Sequence, residues 1–492
     1  MTGFLATAPA LAVRVNPDGH GQALIYPYYT ARATISGKSF VTALSVVNTM
    51  SKPKVVRVRL YEGRAGAEVH DFNLFLAAND VWTAGIVGAG AGAGIYTADH
   101  SCTSPQVGSN AANPSRFRNG AYGGIDQLGN SLDRTYEGYL EVLEMATIDP
   151  ASALAANISP RTDLSEPNAS RPPCLNLPSG DIAPQGLSLP TGGLVGNASF
   201  INVNEGTDFN VNAVALSRWS DKIQWSSPGS ASPSLADANP PISTVIDTGV
   251  DEDRMIITRW ETGRDAVSAV LMVDRIINDY TVERSINAST DWIVTMPTRR
   301  YYKDAAGANF PFLDRNTSPA SYTEELTPAY DDGLPPPGLF YDREGQDGHQ
   351  PHVCFICVPY GNRFVGVTGA WSWVSAFTTP SRPSAVVASA LGTSQVLAVN
   401  FQSGYGQLQI VRDLSFVGSH TLRAPIGAST VIDVKTGAVR VSKNAIYHGL
   451  PVIGFAVHTF STTGLPGMDP NVLARYGGAF SHNVSRHIEV TP

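Results

Sequence analysis

The feature that most constrains this chain is a succession of short segments in which apolar and polar residues alternate, separated by turns. Lys54–Tyr61 is the clearest: Val56, Val58 and Leu60 face one way, Arg57, Arg59 and Tyr61 the other. A period of two places alternate residues on opposite faces of an extended chain, so the segment reads as a half-buried β-strand. Asn48–Pro53 precedes it and Glu62–Gly66 follows it, both rich in turn-forming residues. Strand character recurs in Ala23–Tyr26, Phe40–Val47, Glu68–Leu76, Asp80–Thr83, Tyr136–Met145, Ser199–Leu216 and Asp291–Met296. It returns later in Arg363–Val367, Val396–Phe401, Gly406–Arg412, Val431–Val434 and Val452–Phe460.

The expected fold is therefore mainly β: antiparallel β-sandwich domains with long loops and one amphipathic helix. That helix is placed at 265–280, because Ala266, Val267, Ala269, Val270, Val273, Ile276, Ile277 and Tyr280 recur at helical spacing after Asp265. Ala84–Gly94 is built almost wholly of Gly and Ala, but it lacks the glycine spacing and following helix of a dinucleotide-binding turn. It reads as a flexible or close-packed loop. Residues 150–200, 226–242 and 304–352 read as polar, Pro-rich loops. A boundary in the loop before Val353 divides the chain into a β-sandwich domain over 13–345 and a second β-rich domain over 346–492.

Composition narrows the function. The 46 Gly and 34 Pro suit a turn-rich β protein, and only 15% of residues are charged against about 25% in an average soluble chain. A net charge of −8 supplies no basic face, which argues against a nucleic-acid partner. No run approaches the ~18 apolar residues of a membrane-spanning helix. The start of the chain is apolar and ends in Ala10-Leu11-Ala12, the small-x-small pattern of a signal-peptidase site. It has no basic stretch before it, so residues 1–12 read either as the remnant of a longer signal peptide or as an ordinary apolar N-terminus. Export, to the cell surface or beyond, is the expectation adopted.

The four cysteines agree with an oxidising compartment. Cys102 and Cys174 lie in polar loops and are expected to pair, leaving Cys354 with Cys357. The second pair has an alternative. His349 and His352 stand just upstream, and two imidazoles with two thiolates are the ligand types of a Zn²⁺ site. The spacing is short for such a site, and a disulfide beside surface histidines is preferred. Asp251-Glu252-Asp253 and Asp331-Asp332 offer oxygen ligands for Ca²⁺ but lack a calcium-loop pattern, so they read as solvated turns. No cofactor is expected.

Several stretches carry a resemblance: Ile25–Thr30, Leu44–Thr49, Val56–Arg64, Val69–Trp82, Glu137–Met145, Asp265–Met272 and Asp291–Tyr302. In these the chain resembles a family of exported, β-rich bacterial cell-surface proteins with no named activity. The resemblance implies export and a β-rich fold, and supplies no catalytic residue.

Catalytic constellations are not evident. Glu137, Glu141 and Glu144 can be taken as a carboxylate pair, but spacing along one strand favours a polar strand face. Isolated histidines such as His448 and His458 read as structural. Aromatic groups are more suggestive: Trp371 and Trp373 share a strand face, and Trp219 and Trp225 form a second group. Either can be a platform for a sugar or a partner, or core packing. The sequence thus leads to a non-enzymatic extracellular structural protein, an assembly unit of a surface layer, filament or matrix acting as a homo-oligomer or polymer. The alternative is a secreted carbohydrate-binding or carbohydrate-active protein that uses the aromatic platforms on glycans.

Overall fold

The computed structural model describes residues 12–34, 36–122, 129–160, 171–248, 253–302, 310–312, 323–326, 340–345, 365–368, 371–376, 384, 386–390, 393–395, 402–410, 420–461 and 475–491. The fold is mainly β, and every strand pair among these residues but one is antiparallel; the exception joins Trp371–Ala376 to Thr393–Gln395.

The largest sheet has eight strands, and Glu137–Ile148 lies in its middle between Ala23–Thr30 and Lys54–Glu62. All three are buried along their whole length. That departs from the half-buried reading of Lys54–Tyr61. Val56, Val58 and Leu60 do enter the main core. The arginine face is covered as well, by backbone carbonyls of the Ser226–Pro233 loop: Arg57 donates to Ser227 O at 2.6 Å, and Arg59 to Ala231 O at 2.5 Å and Pro233 O at 2.8 Å. Guanidinium groups tolerate burial when most of their N–H groups find acceptors, and alternation alone does not distinguish that from solvent.

A six-stranded sheet shares the core of the large one. Its strands Val41–Asn48, Leu194–Asn202 and Thr207–Asn212 alternate cleanly between buried and more open positions. Leu44, Val46, Trp82, Ile86, Phe200 and Phe209 from this sheet join Tyr26, Tyr28, Val58, Leu60, Phe72 and Val142 from the large sheet in one cluster. The Gly/Ala stretch read as a loop instead forms a hairpin of this sheet, Val81–Ala89 with Gly92–Tyr96. Gly90 turns it at φ +76°, a conformation that costs little only without a Cβ. At Gly92 a Cβ would lie 2.6 Å from Thr135 Oγ1, so a small residue is required there by packing.

The expected helix is shorter than its apolar spacing suggested. It spans Gly263–Leu271, with the Thr262 side chain accepting from Asp265 N. Met272–Val273 and Arg275–Thr281 are strands, the latter paired with Ser403–Gln409 and Asn483–Ser485. Ile276, Asn278 and Tyr280 are buried at every second position. Their spacing satisfies a strand as well as a helix, and partners distant in sequence decide the outcome. The helix packs Ala266, Val267 and Val270 with Ile25 and Leu143, covering the second face of the large sheet. A second, short helix, Ala153–Ile158, lies in the stretch read as loop. Among the described residues no helix is long and apolar enough to cross a membrane.

The boundary placed before Val353 is not the one the sheets follow. Asp253–Arg259 pairs with Ser429–Asp433, and Ser289–Thr295 pairs with both Trp371–Ala376 and Ile453–Ser461. Each sheet draws its strands either from residues up to Ser217 or from Ile242 onward. Even these two groups share a core: Phe200 stacks on Phe455 at 5.6 Å, and Ile293 and Val457 enter the main cluster.

Candidate functional site

The second group of sheets contains a surface that the rest of the fold does not explain. Ile242–Thr248, Asp253–Arg259, Ser429–Asp433 and Val439–Ser442 form a four-stranded antiparallel sheet in that order. Its inner face sends Val245, Ile256 and Val431 into the core beside the helix. Because side chains alternate, the neighbouring positions must point outward. Pairing aligns Ile246 with Met255, Met255 with Ile432, and Ile432 with Val439, an apolar row across all four strands. The next row runs Thr244, Ile257, Thr430, Val441. Toward one edge Ala12, Ile242 and Ile257 bury one another. Met255 and Ile432 in the middle of the row are half-buried against that cluster, and the face is open at its ends: Ile246 is 56% exposed, Val439 47%, Val441 66% and nearby Val434 51%. Isolated exposed valines are unremarkable, but an aligned apolar row is a patch.

The two edges of this sheet differ. At Ile242–Thr248 the edge is extended by Val13, whose N–H donates to Ile242 O at 2.7 Å while its carbonyl accepts from Thr244 N at 2.9 Å. Val439–Ser442 has a strand neighbour on one side only among the described residues. Two exposed valines and Arg440 lie along it.

The acidic residues of the central strand make a different arrangement from the expected polar strand face. Glu137, Glu141 and Glu144 are completely buried. Glu137 accepts from Arg32 at 3.0 Å, Tyr28 at 3.1 Å and Ala390 N at 3.1 Å. Burial raises its carboxyl above the ordinary range, with Arg32 opposing the shift. Glu141 accepts from Tyr301 at 2.9 Å and Tyr61 at 3.2 Å, and Arg300 lies 4.0 Å from the centre of the Tyr61 ring. Burial pushes the Glu141 carboxyl up to about 6 against the pull of Arg300 and Arg59. Glu144 pairs with Lys54 at 2.5 Å. Neighbouring Glu62 pairs with Arg134 at 2.9 Å. These carboxylates are engaged by buried donors inside the large sheet, which is the chemistry of a structural network.

A surface cleft of about 640 Å³ borders one end of that network, lined in part by Arg32, Asp133 and Tyr136. Its polar groups are already committed to one another. Arg32 bonds Asp133 at 2.7 Å as well as Glu137, and the Tyr136 hydroxyl donates to Gly90 O at 2.7 Å.

The residues singled out from sequence separate into distinct places. Cys102 and Cys174 form a disulfide with Cα atoms 5.4 Å apart, tying the 150–200 stretch to the large sheet. Trp219 is not a platform: it is fully buried, with its indole N–H donating to Leu235 O at 3.4 Å. Trp225 is half-buried near Phe75, and its indole donates to Gly180 O at 3.0 Å. Trp371 and Trp373 lie on the strand Trp371–Ala376, in register with Thr295 and Ile293. His349, His352, Cys354 and Cys357 lie outside the described residues, as do Asp251, Glu252, Asp331 and Asp332. The metal-ligand types that do gather among the described residues are His448, His487 and Glu489. The two histidines stand about 40 positions apart in a chain whose ten histidines are scattered, and only strand register unites them.

No protein-family model, no curated protein sequence and no solved structure matches the chain.

Proposed function

We propose that this chain is an exported structural protein whose copies assemble with one another into a surface layer, filament or matrix. The observation that carries the reading is the outward apolar row Ile246–Met255–Ile432–Val439, which runs to a strand edge with one neighbour among the described residues. The occupant proposed is the same sheet of a second copy. Adding its Val439–Ser442 strand alongside continues both the hydrogen-bond ladder and the apolar row, and no other chemistry is needed. An isologous contact of this kind closes a dimer, and a further contact of another type extends it. The Cys102–Cys174 disulfide supports export, because such bonds persist in oxidising compartments.

Withdrawing one half-exposed Val from water contributes roughly 1 kcal/mol, so Val439 and Val441 on both copies supply a few kcal/mol. Size-exclusion chromatography with light scattering and sedimentation equilibrium test the reading. The expected result is concentration-dependent association that Val441→Lys weakens at least tenfold. A wild-type protein that stays monomeric at several hundred micromolar, or an association unchanged by Val441→Lys, refutes it.

A second reading, glycan binding, is favoured by one pair of side chains. Tyr476 and Phe480 are 68% and 51% exposed on the edge strand Arg475–Ser481. Sugar rings stack on such exposed aromatic faces. Glycan-array binding abolished by Tyr476→Ala supports it, and an array without signal removes it.

A further inference from the structure

The short sheet formed by Thr421–Arg423, Asn444–His448 and His487–Thr491 holds the last strand of the described chain. One face is core: Leu422, Tyr447 and Ile488 align across the three strands and are all buried. The opposite face must therefore carry the intervening residues. His448 stands directly opposite His487, and Glu489 is two positions further along the same strand, opposite Ile446. All three side chains consequently project from one face.

Their atoms are spaced as a metal centre requires. His448 Nε2 lies 3.2 Å from Glu489 Oε1, and His487 Nε2 lies 3.8 Å from the same oxygen. One ligand atom from each residue falls within 4.8 Å of the others. Ligands at the roughly 2.0–2.1 Å of Zn–N and Zn–O bonds sit about 3.3 Å apart at tetrahedral angles, so small side-chain rotations suffice to close the set. The imidazole rings are 4.9 Å apart and tilted by 50°, which lets both nitrogens converge instead of stacking flat. The buried opposite face makes the backbone beneath the ligands rigid.

We infer that His448, His487 and Glu489 form a binding site for a zinc-type divalent cation that clamps the C-terminal strand to its neighbour. Two imidazoles and one carboxylate suit borderline ions such as Zn²⁺, Co²⁺ and Ni²⁺ rather than Ca²⁺, which takes six to eight oxygens. The side chains are graded from inside to outside, with His448 11%, His487 36% and Glu489 52% exposed, so an ion enters from solvent and keeps at least one position for water or a ligand from outside. Arg423 faces the same row, in register with Ile446. The site shares no residue with the assembly face.

Isothermal titration of the full chain, dialysed against chelator, with Zn²⁺ measures the stoichiometry, and Co²⁺ absorption reports the ligand field. The variants are His487→Ala and Glu489→Gln, chosen because both side chains are solvent-facing and the fold survives their loss; circular dichroism checks this. The expected result is one equivalent of Zn²⁺ removed, or weakened by at least the 10- to 100-fold that loss of an outer-shell partner costs, in each variant. The wild type also gains thermal stability on adding Zn²⁺, and the variants do not. Wild-type protein that binds no Zn²⁺ at millimolar concentration overturns the inference. So does binding that persists unchanged in both variants, or that disappears instead in His349→Ala/His352→Ala.

Discussion

Glu144→Gln is the most incisive perturbation of the large sheet. Both Glu144 and its partner Lys54 have fully buried side chains. One carboxylate oxygen accepts from Lys54 Nζ at 2.5 Å, the Thr147 hydroxyl at 3.0 Å and Thr191 N at 3.0 Å; the other accepts from Gly192 N at 2.7 Å. A glutamine fits the space but turns one acceptor into a donor. If its NH₂ replaces the second oxygen, Gly192 N–H is orphaned, at about 1–3 kcal/mol. In either orientation the Lys54 ammonium, held in the interior, loses its counter-charge, which costs about 3–5 kcal/mol. The combined destabilisation is roughly 4–8 kcal/mol, a large part of a typical domain's stability. Lys54→Met leaves a carboxylate that still has three donors and costs less, about 2–3 kcal/mol. The double variant removes the stranded charge and is less harmful than Glu144→Gln alone. Urea unfolding followed by fluorescence of the buried Trp82, Trp219 and Trp292 measures all three. A cost below about 1 kcal/mol for Glu144→Gln, or a double variant equal to the sum of the single ones, refutes the reasoning.

Two further outcomes are expected. Cys102→Ser/Cys174→Ser opens a covalent loop spanning a sequence separation of 72 and lowers stability by about 4 kcal/mol on the chain-entropy account, read as a lower unfolding midpoint in urea. Glu141 holds its proton up to about pH 6, above the ordinary 4.5, so in the folded protein its ionised form is the costly one. Its contribution therefore improves by roughly 2 kcal/mol as pH falls from about 6 to 4.5 and is constant outside that window. Glu141→Gln abolishes that increment. Stability of wild type minus variant, measured at pH 7 and pH 4.5, rises by this amount at the lower pH; a difference that stays flat or falls contradicts the assignment.

Local patterning was enough to read the strands: Lys54–Tyr61, Phe40–Val47 and Glu68–Leu76 lie where alternation and turn residues put them. The pairing of Cys102 with Cys174 was legible from the polar loops around each. What alternation did not reveal is what lies against the polar face. Arg57 and Arg59 look solvated in sequence and are buried because a loop about 170 residues away supplies carbonyls. The same physics turned Glu137, Glu141 and Glu144 from a polar face into an interior network, and of the two readings open for Trp219 it selected core packing.

Tertiary structure alone decided the remaining points, because each depends on partners far apart along the chain. Residues 272–281 carry a spacing that helix and strand both accept, and pairing with Ser403–Gln409 selects the strand. The division of the sheets follows those long-range pairings and not the longest loop. The apolar row through Ile246, Met255, Ile432 and Val439 exists only once four strands stand in register. His448 and His487 likewise become neighbours only when the last strand docks. A sequence determines the period of each strand locally, since that rests on side-chain hydrophobicity one residue at a time; register is a property of pairs, and it is register that builds the surfaces and clusters of this protein.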